Sequence, residues 1–177
     1  MGGLAAHFSA MARNNRWSNH VLLRACMSLR HEEFTATRTS FFPSIAETLN
    51  HSLMVDRYYL DAMRGGGLGQ AIFRDFTPFE AASSLADAQR EQDEALIVFC
   101  AGLTDDDVVR SVPTDRGEDG EVPESIDNLL AHLFQHQIHH RGQVHAMLAG
   151  TSVAPPQLDE FFLNFDRDPE VERMGLM

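Results

Sequence analysis

The segment Leu129-Leu-Ala-His-Leu-Phe-Gln-His-Gln-Ile-His-His-Arg-Gly-Gln-Val-His145 decides how the rest of this chain is read. Five of the nine histidines fall within it, and their spacing is helical. His132, His136 and His140 recur at every fourth residue, which on an α-helix stacks them turn above turn on one side. Ile126, Leu130, Leu133, Val144 and Met147 share that stripe, so imidazoles stand where a plain helical core would carry Leu. A single buried His is ordinarily a structural hydrogen-bonding group. Two at i, i+4 on a core-facing stripe favour a metal instead, because each would otherwise need its own buried partner. Such a pair aims two ring nitrogens at one point.

Composition narrows the field. At 177 residues the chain is expected to form one domain over 1–177, long enough to bury a full core. A formal net charge of -12 argues against nucleic acid as a partner, since phosphate recognition needs a basic stripe. The acidity reads as ordinary solubility. Cys26 and Cys100 form no CxxC, so neither a disulfide framework nor a Cys-based zinc site is expected, and a reduced, cytoplasmic setting fits. The opening Met-Gly-Gly-Leu-Ala-Ala-His lacks a signal peptide's basic and apolar regions, and Ala6 removes the Ser/Thr of a myristoylation signal. No apolar run approaches the ~20 residues of a membrane span.

Working back from the His-rich segment, four long helices are expected. Residues 4–30 carry Leu4, Phe8, Met11, Asn15, Ser18, Leu22, Ala25 and Leu29 at alternating spacings of four and three. That seam turns polar at Asn15 and Ser18, either as an exposed patch or as the wall of a polar cavity, with Trp17 as a lid or pocket aromatic. Ser44 and Glu47 form a capping-box pattern that starts a second helix, stopped near Arg64 by Gly65-Gly66-Gly67. Its apolar arc is broad and leaves Asn50, Arg57 and Asp61 on a narrow wet edge. Residues 65–78 read as a loop whose Ile72, Phe73 and Phe76 tuck against the body.

A third helix over 79–102 presents Leu85, Gln89, Gln92, Leu96, Phe99 and Leu103 inward. Its solvated face holds Asp87, Arg90, Glu91, Asp93 and Glu94. Asp119-Gly120 gives a weak hairpin signal between 109–112 and 121–122. The run Asp105-Asp106-Asp107 lacks the glycine and distal Glu of a calcium loop and reads as a solvated helix end. The fourth helix covers 124–149. Leu158 to Phe165 is an apolar segment expected to pack back on the body, and residues 166–177 read as loosely held. The fold class is therefore all-α, an up-down-type four-helix bundle, where metal sites are built by inward side chains of facing helices.

A third ligand must come from another helix. The candidates are His51, His20, Glu47 and Asp56, with His51 favoured because it lies midway along a mostly apolar helix. Three imidazoles suit Zn²⁺, Ni²⁺, Fe²⁺ or Cu²⁺ and leave a position for water or substrate, as catalytic sites do. A carboxylate-bridged di-iron site is disfavoured, because no Glu stands three residues before His136 or His140.

With these residues in view, the chain resembles the DinB/YfiT family of bacterial metal-binding four-helix bundles. The resemblance is carried by Leu49-Asn50-His51 with Asp56, and by His132, His136 and His139-His140-Arg141-Gly142-Gln143. It extends to Asn15-x-Trp17-Ser18-Asn19 and to Ala154-Pro155-Pro156-Gln157-Leu158-Asp159. It implies His51, His136 and His140 as ligands of a divalent ion, zinc or nickel, and a homodimer. By the same resemblance, His132 and His139 match family positions that do not usually ligate. Asp56, His132, Gln143 and Asn15 are the candidates for groups that orient the ligands.

Two functions follow as expectations. In one, the ion activates water or a low-molecular-weight thiol for attack on a small-molecule substrate, as in a hydrolase or a thiol transferase. In the other, the bundle binds or senses, and its metal is structural or vestigial.

Overall fold

The computed structural model describes residues 3–159, 162 and 167–177. Its frame is four long helices, α1 (Leu4–Met27), α3 (Ile45–Arg64), α5 (Ala82–Ala101) and α7 (Ile126–Leu148), joined by shorter elements. These are α2 (His31–Thr35), α4 (Ala71–Asp75), α6 (Asp105–Val108), strands β1 (Ser111–Asp115) and β2 (Glu121–Ser125), and α8 (Pro169–Arg173). None of the described helices is long and apolar enough to cross a membrane.

Local chemistry sets the helix ends. Ser44 accepts the Glu47 backbone N–H at 3.1 Å and donates its hydroxyl to the Glu47 carboxylate at 3.0 Å. Gly65 ends α3 in the left-handed conformation, φ 68°, where a side chain would be strained. The Asp105 carboxylate accepts the Ala5 N–H at 2.8 Å, so the acidic run supplies an anion to the start of α1 and is not merely a solvated end.

Helix α1 packs on α5 and α7, and α3 packs on the same two. Apolar side chains gather in two main clusters. One joins Phe8 and Ala12 of α1, Val55 to Met63 of α3, Leu96 and Cys100 of α5, and Ile126 to Phe134 of α7. The other joins Leu22 to Cys26, Ile45 to Leu53, Leu85 with Ala88, and Val144 to Leu148. Read in chain order, α1 and α7 run from the first cluster to the second, while α3 and α5 both run from the second to the first.

The up-down-type alternation is therefore corrected, because α3 and α5 are parallel. The connection 65–81 makes this necessary, since it must return along the whole length of α3. A 20-residue helix is about 30 Å long, well within reach of such a segment. The strap does so with α4 in its middle, placing Ile72 and Phe73 against the first cluster and Phe76 and Phe79 against the second.

Three other expectations change. The class is mostly helical but not all-α: β1 and β2 pair antiparallel with Ser111 opposite Ser125 and Asp115 opposite Glu121, a longer ribbon than the hairpin signal indicated. The chain end is docked, with Val171 and Leu176 buried against Trp17 and Val21. Trp17 is accordingly a core residue, not a lid, and its indole N–H donates to Asp168 at 3.3 Å. Of the apolar segment 158–165, Leu158 packs against the second cluster, and residues 160, 161 and 163–165 lie outside the described residues.

Between the two apolar clusters every long helix turns polar at the same level. Asn15 and Asn19 of α1, Asp56 of α3, Gln89 and Asp93 of α5, and Gln137 and Arg141 of α7 are all buried there. Asp93 was expected on the solvated face of α5. It is buried because Asn15, Asn19 and Gln89 all donate to its carboxylate, at 3.0 to 3.2 Å.

Candidate metal centre

At the level of that polar layer, α3 and α7 bring three imidazoles to one point. His51 Nε2 stands 3.0 Å from His136 Nε2, which stands 3.1 Å from His140 Nε2. One nitrogen from each ring falls within 4.8 Å of the other two, and these three residues form the group among the described residues suited to a metal. His140 is buried, while His51 and His136 are half-buried, so the cluster is closed on the His140 side and reachable on the other. The Phe42 ring covers part of it, with centroids 4.3 Å from the His51 ring and 5.7 Å from the His140 ring.

Protonation suits the arrangement. Burial first, and His140 second, lower His51 to about 4. Burial and then the neighbouring imidazoles lower His136 to about 3. His140 is also lowered, mainly by burial. All three are neutral at pH 7, so each has a lone pair to give.

The tautomer of His140 is fixed from behind. The Gln143 side-chain oxygen faces its Nδ1 at 2.8 Å and accepts the ring N–H, leaving Nε2 as a bare acceptor toward the cluster. The Gln143 amide N–H in turn donates to His139 at 3.1 Å, which sets the amide the right way round.

The donor set fits a divalent ion. A single shared proton serves the two close Nε2 contacts only in part, whereas a cation among three lone pairs serves all of them. Ring nitrogens about 2.0–2.1 Å from a tetrahedral zinc stand about 3.3 Å apart, close to the spacings here. His136 Nδ1 is buried with no partner among the described residues, as expected of a ring whose proton is displaced to that atom when Nε2 ligates.

The remaining expected residues separate. His132 is exposed, stacking on His136 at 6.1 Å and lying 5.0 Å from the Tyr59 ring. Asp56 and Asn15 do not reach the imidazoles. Asp56 Oδ2 accepts from Gln89 at 2.9 Å and from Gln137, while Asn15 donates to Asp93 and accepts from Arg141. Asp56 follows His51 by five positions, well over one helical turn, so the two side chains leave α3 toward different neighbours.

Burial, then Asp93, pushes the Asp56 carboxyl up to about 7. Burial likewise raises Asp93, and it lowers Arg141. Asn50, expected on the wet edge, is buried and clamps the strap: it accepts the Phe79 N–H at 2.7 Å and donates to the Phe79 carbonyl at 3.0 Å. Phe42 carried no periodic signal in the sequence because it lies in a connection, and Phe79, read as the start of the third helix, belongs to the strap, since α5 begins at Ala82.

The family model for the DinB family matches residues 4–171. The chain belongs to the DinB family. It is 24% identical over 148 residues to protein DinB of Bacillus subtilis strain 168, covering 80% of this chain and 85% of that protein. Its fold is similar to the crystal structure of a DinB-like protein from Bacillus cereus ATCC 10987, with a TM-score of 0.61 at 19% identity over 80% of this chain and 90% of that one. The three converging imidazoles are compatible with metal binding by this DinB-family chain.

Proposed function

We propose that this DinB-family protein is a four-helix-bundle metalloenzyme that holds zinc or nickel through His51, His136 and His140. The observation that carries this reading is the convergence of three neutral Nε2 atoms from two helices on one half-open point. A divalent ion bound there lowers the pKa of a bound water or low-molecular-weight thiol toward neutrality. The chain's own residues do the rest. Gln143 holds His140 with its lone pair inward, Phe42 restricts water on one side, and His51 and His136 leave the other side accessible.

A catalytic ion is favoured over a structural one because the polar layer beside the site is held by its own hydrogen bonds, with Asp56 Oδ1 left unpartnered among the described residues, so the helices do not need the ion to close their interior.

The test begins with metal analysis of untagged protein. About one ion per chain is expected, and none in His136→Ala; equal content in both ends the ligand assignment. The loaded protein is then assayed with thiol-plus-electrophile pairs and with simple esters, and inactivity in both panels removes the enzymatic part. Chelation should leave a folded apo-protein, whereas collapse of the melting transition would favour the structural alternative.

A further inference from the structure

Two cavities open beside the imidazole cluster, and they differ in kind. One, of about 320 Å³, is bounded by Tyr58, Tyr59, Gln70, Arg116, His132 and His136. Most of its polar tips are already engaged. The Tyr58 hydroxyl donates to the Asp115 carbonyl, and Arg116 donates to both Glu124 carboxylate oxygens at 2.6 and 2.7 Å. Little there is free to recognise a ligand.

The other cavity, of about 360 Å³, lies between α3 and the strap that returns along it. Phe42, Met54, Phe73, Phe76 and Phe79 line it, and His51 forms part of its wall. The amide of Asn50 is spent on clamping Phe79, so it offers no free donor. Glu47 is the one charged residue among the described residues of the lining, and it is exposed. The Arg57 guanidinium lies 5.7 and 5.9 Å from the Phe76 and Phe79 rings, holding two of the aromatics in place.

We infer that this aromatic cavity is the substrate pocket of the His51–His136–His140 site and that it takes an uncharged, apolar molecule. The inference rests on the metal-dependent reading above. An apolar lining gives affinity through buried area, at about 25 cal/mol per Å². A carboxylate at the edge of the cavity, in a chain of net charge -12, disfavours anions. Phe73, Phe76 and Phe79 pack on the two apolar clusters yet stay only half-buried, leaving ring surface to the cavity. A connection that merely returned along α3 could be polar, as loops generally are.

Two nitrogen ligands for cobalt(II)-loaded protein test this, with binding read from the visible absorption of the ion. Imidazole and 4-phenylimidazole offer the same donor, but only the second carries an apolar ring. The phenyl compound is expected to bind about tenfold tighter or more. Phe76→Ala and the cavity-filling Met54→Trp should each remove most of that preference while leaving imidazole binding unchanged. Equal affinity of wild type for the two ligands overturns the inference. A 4-(carboxyphenyl)imidazole should bind more weakly than 4-phenylimidazole, and equal binding removes the charge selectivity.

Metal-free protein supplies an independent arm. N-phenyl-1-naphthylamine should brighten on binding it and lose that signal in Met54→Trp; no brightening overturns the pocket. If naphthylamine binds but cobalt gives no imidazole-sensitive spectrum, the metal-dependent reading fails and the apolar ligand site stands.

Discussion

Helices α3 and α7 contribute to two polar clusters at the same height of the molecule, and the clusters are built on opposite logic. In the interior one, Gln89, Gln137, Asn15, Asn19 and Arg141 surround Asp56 and Asp93, so donors meet acceptors and, apart from Asp56 Oδ1, the group closes on itself. In the other, three imidazole nitrogens converge with at most one shared ring proton among them. A closed network rigidifies and specifies an interior. An unanswered set of lone pairs marks the place where the molecule expects something from outside. Buried polarity alone therefore does not identify a site; the balance of donors and acceptors does.

The sharpest way to break this contrast is His136→Ala. It should weaken metal binding by more than about 100-fold, beyond the 10–100-fold typical of changes to an orienting partner, while the unfolding midpoint of metal-free protein stays near wild type. Titration calorimetry with zinc and chemical denaturation read the two effects. Asp93→Ala should do the reverse. It leaves Arg141 and three amides facing an absent carboxylate and should cost about 3–5 kcal/mol in denaturant unfolding, with metal affinity largely retained. If Asp93→Ala abolished metal binding in a folded protein, the two clusters would have to be regarded as one.

Gln143→Leu is the intermediate case. It removes only the acceptor of the His140 ring proton and should weaken metal affinity about 10–100-fold without altering stability.

The most gradual effect, about 1 kcal/mol per pH unit for each group, is in the pH dependence of the metal-free protein. Asp56 is raised to about 7, so folded protein keeps a proton that the unfolded chain has already lost; its contribution is present below about pH 4 and disappears as pH rises through 7. His51 and His136, lowered to about 4 and about 3, act in the other sense. Unfolded imidazoles take up protons below about 6.5, so stability falls as pH drops through that range. Between about pH 4 and 6.5 the two effects therefore oppose one another, and above about pH 7 neither adds a slope. Asp56→Asn should steepen the loss of melting temperature as pH falls from about 6.5 to 4, and a profile unchanged in that variant would remove Asp56 as a contributor.

Much of this was legible in the chain. The seams at spacings of three and four located the four long helices, and the Ser44 cap and Gly65 stop fixed the ends of α3. The pairing of His136 with His140 followed from helical geometry alone. His51 could be favoured from its place midway along an apolar helix, but not placed against that pair, because nothing local says which face of α3 meets α7. The direction of α5 was hidden for a related reason: loop length does not say whether a connection turns back at once or first travels the length of its neighbour. Asp93 was misread as a surface charge because charged neighbours on both sides mask a single inward carboxylate. The docking of α8 was missed because its apolar anchors, Val171, Met174 and Leu176, are too few to form a pattern.

That last contact has a practical side. Trp17 is the sole tryptophan of the chain, and it is sealed from solvent in a cluster completed by the final residues. Its emission is thus a built-in gauge of whether the carboxyl-terminal end is seated. A red shift would follow a clipped terminus or an appended tag that pries the end away, and it would be seen without touching the imidazoles.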